Sequence, residues 1–88
     1  MPVTAAEQVA ALAAERLLAD PFLQEALDEL VAQNTERCVF NDDPLQREAA
    51  RQLVIAIGTL RGSLRAAIEH VASSRERDAL ARSFEDIA

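Results

Sequence analysis

The sequence contains one cysteine, Cys38, and one histidine, His70, and these are the first candidates for a side chain with a chemical role. A catalytic thiol needs a neighbouring base and an electropositive setting, and a histidine that binds a metal needs further ligands. Cys38 falls in line with the apolar residues of its predicted helix, and His70 has only Glu69 and apolar residues beside it. We therefore interpret Cys38 as a small packing residue and His70 as a surface side chain near a helix end.

An acidic pair, Asp42-Asp43, lies between Asn41 and Pro44. Calcium loops space their oxygen ligands along the chain, which two consecutive acids do not. Asn and Asp favour turns and helix N-caps, and proline is tolerated at the first helical position. The segment therefore predicts a turn between two helices. Since no phosphate loop, dinucleotide fingerprint, zinc ribbon or catalytic triad is visible either, we expect no metal, no cofactor and no enzymatic activity.

The charges are numerous but divided between the halves of the chain. The net charge is −6, with −7 in residues 1–43 and +1 in residues 44–88, and every cation is an arginine. Four arginines could form a basic edge on the third helix, but acids interrupt it and no aromatic residues are interleaved for base stacking. We expect a solvated or salt-bridged face, with an acidic partner as the alternative, and no nucleic-acid binding. The four are Arg47, Arg51, Arg61 and Arg65.

Neither a signal peptide nor a membrane span is visible. The start of the chain lacks a basic segment followed by an apolar one. The longest uncharged apolar-rich run, from Gln52 to Leu60, is far shorter than the roughly twenty residues that a membrane helix needs. We expect a single domain over residues 1–88, located in the cytoplasm or within a virion and without membrane contact.

The pattern of caps and apolar residues predicts only helices. Thr4-Ala5-Ala6-Glu7 is typical of a capping box, Asp20-Pro21 of a break and restart, and Ser73-Ser74 of a second break. The predicted helices cover residues 5–19, 21–40, 44–72 and 75–83, and residues 85–88 are expected to fray. Along the first helix the predicted apolar side is formed by Val9, Leu12, Ala13 and Leu17.

The fold expected from these elements is all-α, an antiparallel helical hairpin of the second and third helices with short flanking helices. Apolar residues recur at spacings of three and four on both long helices, as on one-sided helices. The register predicts ion pairs of Glu36 with Arg47 and Arg51, and of Glu25 with Arg61. The predicted hairpin core is Leu23, Leu27, Leu30, Val31, Leu53, Ile57, Leu60, Leu64 and Ile68.

A second face of the third helix carries mostly small residues, Gly58, Gly62 and Ala66, with Ile55 among them. At 100° per residue these four lie about 140–220° round the helix from Leu53. Glycine inside a helix costs up to about 1 kcal/mol relative to alanine, which the close approach of another backbone would offset. Three interpretations stay open: an exposed neutral face, a groove filled by the first helix, or an interface with a partner.

Two runs in the sequence also carry a resemblance to known proteins. They are Asp43-Pro44-Leu45-Gln46-Arg47-Glu48-Ala49 and Leu60-Arg61-Gly62-Ser63-Leu64-Arg65-Ala66-Ala67-Ile68. With the acidic helix before them, the layout of residues 21–72 resembles small acidic helical proteins encoded in tailed-phage and prophage structural-gene clusters. The resemblance implies a non-enzymatic role in or around a virion and supplies no binding residues.

The function expected is that of a structural or interaction protein, a phage-type virion or assembly component that acts through helix–helix packing. Its partner would be a second copy or a larger assembly, and its candidate interface is Ile55, Gly58, Gly62 and Ala66. The alternative is a small helical regulatory or chaperone-like protein that binds one soluble partner.

Overall fold

The computed structural model describes residues 2–87, which form three α-helices and no β-strand. Helix α1 covers Ala5–Ala19, α2 covers Pro21–Phe40 and α3 covers Pro44–Ile87. The all-α prediction is therefore confirmed, and α1 and α2 have the predicted bounds.

Each helix begins where a side chain accepts hydrogen bonds from the unpaired amides of the first turn. The Glu7 amide donates to Thr4 Oγ1 (3.1 Å), and the amides of Phe22 and Leu23 donate to Asp20 Oδ1 (3.0 and 3.2 Å). The Leu45 amide donates to Asp43 Oδ1 (3.0 Å). Because a cap satisfies donors that would otherwise lack partners, these short polar residues set the helix starts.

Helix α3 is continuous, so the predicted break at Ser73-Ser74 and the separate helix over 75–83 are wrong. Serine is only modestly poorer than alanine inside a helix, and two serines do not outweigh packing. Ser74 is 2% exposed and lies between Val71 and Arg75, which line a groove together with residues of α1. The expected fraying from residue 85 is not seen either, because α3 runs to Ile87, while Ala88 lies outside the described residues.

Helix α3 serves as the packing surface for both other helices. Gln46 contacts Asn41 at the turn, Arg61 contacts Asp28 on α2, and His70 contacts Glu7 on α1. At about 1.5 Å per residue, a 44-residue helix is about 66 Å long. This length matches the 68 Å long axis of the molecule, which is 24 and 19 Å across.

The buried and half-buried residues of α3 follow a seven-residue repeat, which is the period of helices wound around each other. We call these residues and those that face them on α1 and α2 the seam. On α3 most of them form two rows, Ala50, Ile57, Leu64, Val71 and Val54, Arg61, Ile68, and the half-buried Ala67 and the buried Ser74 lie beside these rows. Facing them, the seam contains Glu7, Ala11, Ala14 and Leu18 of α1, and Gln24, Leu27, Val31, Asn34 and Cys38 of α2.

Three residues of the predicted core are exposed. Leu30 and Leu53 are each 41% exposed and Leu60 is 50% exposed, whereas the other predicted core residues are at least half-buried. The apolar side chains of α3 cover a wider arc of the helix circumference than a single opposing helix can bury. The seam lies along one edge of that arc. The other edge, which contains Leu53 and Leu60, stays in solvent.

The predicted apolar side of α1 is also wrong. Val9, Leu12 and Leu17 are exposed, and α1 packs through Ala11 and Ala14, which are 5% and 2% exposed. Alanine has no bulk beyond Cβ, so it lets two helix backbones approach more closely than leucine or valine would. The face of α1 that is buried is therefore the one whose small side chains allow the closest approach to α3, and not the one with the largest apolar side chains.

Candidate interaction surface

The predicted interface residues Ile55, Gly58, Gly62 and Ala66, which we call the outer line, are all exposed. Ile55 is 47% exposed, and a Cβ atom added at Gly58 or Gly62 would meet nothing within 4 Å beyond the local helix backbone. Helix α1 therefore does not fill this groove. Of the three interpretations, a neutral exposed face and an interface with a partner remain.

Arg61 makes the main polar contact between α2 and α3. Its guanidinium donates to the Gln24 backbone oxygen (3.3 Å), to Gln24 Oε1 (3.1 Å) and to Asp28 Oδ1 (2.7 Å). The predicted pairing with Glu25 is wrong, because Arg61 pairs with Asp28 and Glu25 is absent from the ion pairs among the described residues. The sequence predicts Arg61 on a solvated or salt-bridged face; in the structure it pairs with Asp28, and its side chain is only 18% exposed and belongs to the seam. Its Nε atom is buried and has no hydrogen-bond partner among residues 2–87.

The four arginines that could have formed a basic edge do not share one surface. Arg61 is turned into the seam, and Arg51 pairs with Glu48 within α3 at 3.2 Å. The predicted pairs of Glu36 with Arg47 and Arg51 are absent from the ion pairs among the described residues. Arg47, Arg51 and Arg65 are exposed, and the exposed acids Glu48 and Glu69 lie close to them in the sequence.

His70 links α3 to the start of α1. Its Nε2 donates to Glu7 Oε2 at 2.6 Å, and the same carboxylate accepts from the Thr4 hydroxyl through Oε1 at 3.2 Å. The hydrogen bond from His70, followed by that from Thr4, lowers the pKa of Glu7 from its ordinary value of 4.5. The histidine is therefore a tether for α1, which its position in the sequence did not indicate.

This tether predicts a dependence of stability on pH. A carboxyl group whose pKa is lowered by folding stabilises the folded state above its unfolded pKa and loses that contribution as pH falls through the folded pKa. We expect Glu7→Gln to lower the urea midpoint relative to wild type at about pH 6, and the gap to close below pH 4.5. Glu15→Gln, which removes an exposed carboxylate from the same helix and leaves the contact with His70 intact, is the matched control. A gap that is constant with pH would contradict the assignment.

The remaining residues with potential chemistry have structural positions. Cys38 is half-buried in the seam. The Asp43 amide donates to Asn41 Oδ1 (2.8 Å), which closes the predicted turn before α3. Among the described residues, no three histidine, cysteine or carboxylate side chains are grouped so that they could hold a metal ion.

A surface that the sequence did not single out lies beside the seam. A shallow groove brings Arg37 of α2 together with Gln46, Ala49 and Leu53 of α3, over a floor of Asn34 and Ala50. Leu30 is seven residues before Arg37, and Leu60 is seven residues after Leu53, so both continue this side of the molecule. We call the exposed Leu30, Leu53 and Leu60, with their neighbours Ala49, Ala56 and Ser63, the leucine flank.

The leucine flank is visible in the sequence as part of the wide apolar stripe of α3. Leu53 and Leu60 belong to that stripe, and the sequence predicts them in the hairpin core. The stripe is real, but the seam of a two-helix packing uses only part of it. An apolar stripe that is wider than one seam therefore indicates a second packing surface on α3.

Comparison with known proteins found no match among family models, curated proteins or solved structures. No helix within residues 2–87 combines the length and the apolar character that a membrane span requires.

Proposed function

We propose that this chain is a non-enzymatic structural or interaction protein, a phage-type virion or assembly component that acts through helix–helix packing. The supporting observation is how its apolar side chains are distributed. The buried apolar residues among those described are Ala11, Ala14, Ala50, Ile57 and Val71, whereas thirteen large hydrophobic side chains are exposed. Single exposed leucines are ordinary, but exposed apolar rows indicate surfaces that pack against a partner.

The arrangement we propose is an antiparallel hairpin. One arm is α1 followed by α2, broken at Asp20-Pro21, and the other arm is α3. The order of the contacts supports this arrangement. Residue numbers increase along α3, while the numbers of the residues that they contact on the other arm decrease. In order along α3, the pairs are Gln46 with Asn41, Arg61 with Asp28, and His70 with Glu7.

The test is to express the chain together with the genes that flank its own and to isolate particles by sedimentation. A structural component should sediment with the assembly at a fixed stoichiometry. In that case Gly62→Leu should reduce its incorporation and leave its helicity unchanged by circular dichroism, because the new side chain projects from an open face. Ala32→Leu, an exposed change on α2, is the matched control and should incorporate normally.

The alternative is a regulatory or chaperone-like protein that binds one soluble partner, and the last part of α3 favours it. Residues 75–86 are all exposed, and Leu80 and Phe84 lie one turn apart on this segment at 59% and 71% exposure. An amphipathic helix of this kind can lie in the groove of another protein. A soluble complex of fixed 1:1 or 2:1 stoichiometry, with none of the chain in particles, would establish this alternative and contradict the first proposal.

A further inference from the structure

We infer that a second copy of this chain covers the leucine flank, so that two hairpins form a four-helix bundle. The inference rests on the antiparallel hairpin proposed above and on the proposed role in protein interactions. It goes further by naming the surface and its occupant. It does not involve the outer line, which lies on another side of α3.

The first argument is the width of the apolar arc on α3. A helix that packs against one partner needs only a narrow seam, whereas a helix in a bundle carries a third apolar row. Between residues 49 and 63, α3 has its seam rows and beside them a row of exposed Ala49, Leu53, Ala56 and Leu60. A single hairpin leaves this row in water, and a second hairpin laid over it would bury it.

The second argument is that the flank can pack against itself. A two-fold interface places the same patch on both subunits, so the patch must be self-complementary. The leucine flank contains apolar side chains and the uncharged Ser63, and a single charge, Arg37, lies at its end near the turn. The other side of the seam carries the charged Asp28, Arg51 and Arg65, whose burial in a contact would cost desolvation free energy.

The third argument is the net charge of the two arms. It favours one of the two possible directions of the two-fold axis that relates the copies. Helix α2 has four acids and one arginine, a net charge of −3, and residues 44–72 have four arginines and two acids, a net charge of +2. A two-fold axis parallel to the helices places each α2 over the partner's α3, so a helix of negative net charge lies opposite one of positive net charge. A perpendicular axis would place α2 over α2. Complementary potentials favour the parallel axis.

The contacts within one hairpin then define which leucines meet. Arg61 lies level with Asp28, and Gln46 with Asn41, so Leu30 lies at a height between Leu53 and Leu60. Rotation about an axis parallel to the helices keeps every height unchanged. Leu30 of each copy therefore packs between Leu53 and Leu60 of the other, as a knob enters a hole.

The first test measures mass by light scattering and sedimentation equilibrium. Wild type should have twice the 9.6 kDa mass of the chain at micromolar concentration, and Leu53→Asp with Leu60→Asp should be a monomer. The matched control is Ile55→Asp with Gly62→Asp, the same charges at the same seven-residue spacing on the outer line, and it should remain a dimer. A monomeric wild type, or a control that dissociates while the flank variant does not, would overturn the inference.

The second test keeps the inference falsifiable if the double aspartate variant fails to fold. In a Cys38→Ala background, Leu30→Cys and Leu60→Cys chains are mixed and oxidised or treated with a short bismaleimide. The inference expects links between the two different chains and few between identical ones. Prevalent links between two Leu30→Cys chains would place α2 over α2 and overturn the arrangement. A flank dimer that joins no particle or partner would support this inference and contradict the proposed function.

Discussion

Ile57→Ala is expected to lower the free energy of unfolding by about 3 kcal/mol, the usual cost of truncating a buried isoleucine. Ile57 is 6% exposed and is the largest buried hydrophobic side chain of the described residues. The loss combines the transfer free energy of the removed carbons with the cavity left between α2 and α3. Since small proteins are stable by only about 5–15 kcal/mol, a large part of the total would be lost.

Ile55→Ala is the matched control for this prediction. It makes the same chemical change two residues away on the same helix, but Ile55 is 47% exposed. Its cost should be below about 1 kcal/mol, because a surface change leaves no cavity and alanine is the better helix former. Both variants are compared by urea denaturation at one protein concentration, since self-association makes the midpoint depend on concentration. Equal losses for the two variants would show that the seam is wrongly placed.

Arg61→Glu is expected to lower the free energy of unfolding by about 2 kcal/mol. The change removes three hydrogen bonds to α2 and places a carboxylate beside Asp28. The cost stays moderate because Asp28 is 70% exposed and water screens its charge. Arg65→Glu reverses the same charge one turn further along α3, on an exposed position, and should change stability by less than about 0.5 kcal/mol.

A charge exchange separates the cross-helix contact from a general effect of charge. Asp28→Arg added to Arg61→Glu restores opposite charges at the two positions, and the double variant should recover part of the loss. A coupling free energy of about 1 kcal/mol would show direct interaction, as residues in contact are not additive. Additive losses in the double-mutant cycle would mean that Arg61 does not pair with Asp28 in solution.

The helix starts could be predicted from the sequence because their causes are local. Thr4, Asp20 and Asp43 each accept from amides two or three residues ahead, and proline follows two of them directly. Such contacts need no information about distant parts of the chain. The break at Ser73 was misjudged because the propensity of serine is a weak effect that packing around Ser74 overrides.

The position of the seam could not be predicted in the same way. The apolar arc of α3 is wide enough to offer two edges, and hydrophobicity alone ranks Leu53 and Leu60 above Ala50 and Arg61. Arginine was assigned to the charged surface, yet its long stem can lie along a seam while its guanidinium reaches acceptors on α2. Which edge is buried depends on how closely the helices approach.

The sequence by itself therefore determined an all-helical chain, its helix starts and its excess of apolar surface, since these follow from local capping and from the period of apolar residues. Only the tertiary structure decided which side chains fill the seam. In the tertiary structure the outer line is uncovered, the Glu7–His70 hydrogen bond holds α1 against α3, and the leucine flank is exposed. The physical reason is that burial is a property of pairs of helices at a particular distance and rotation, which no single segment of the chain contains.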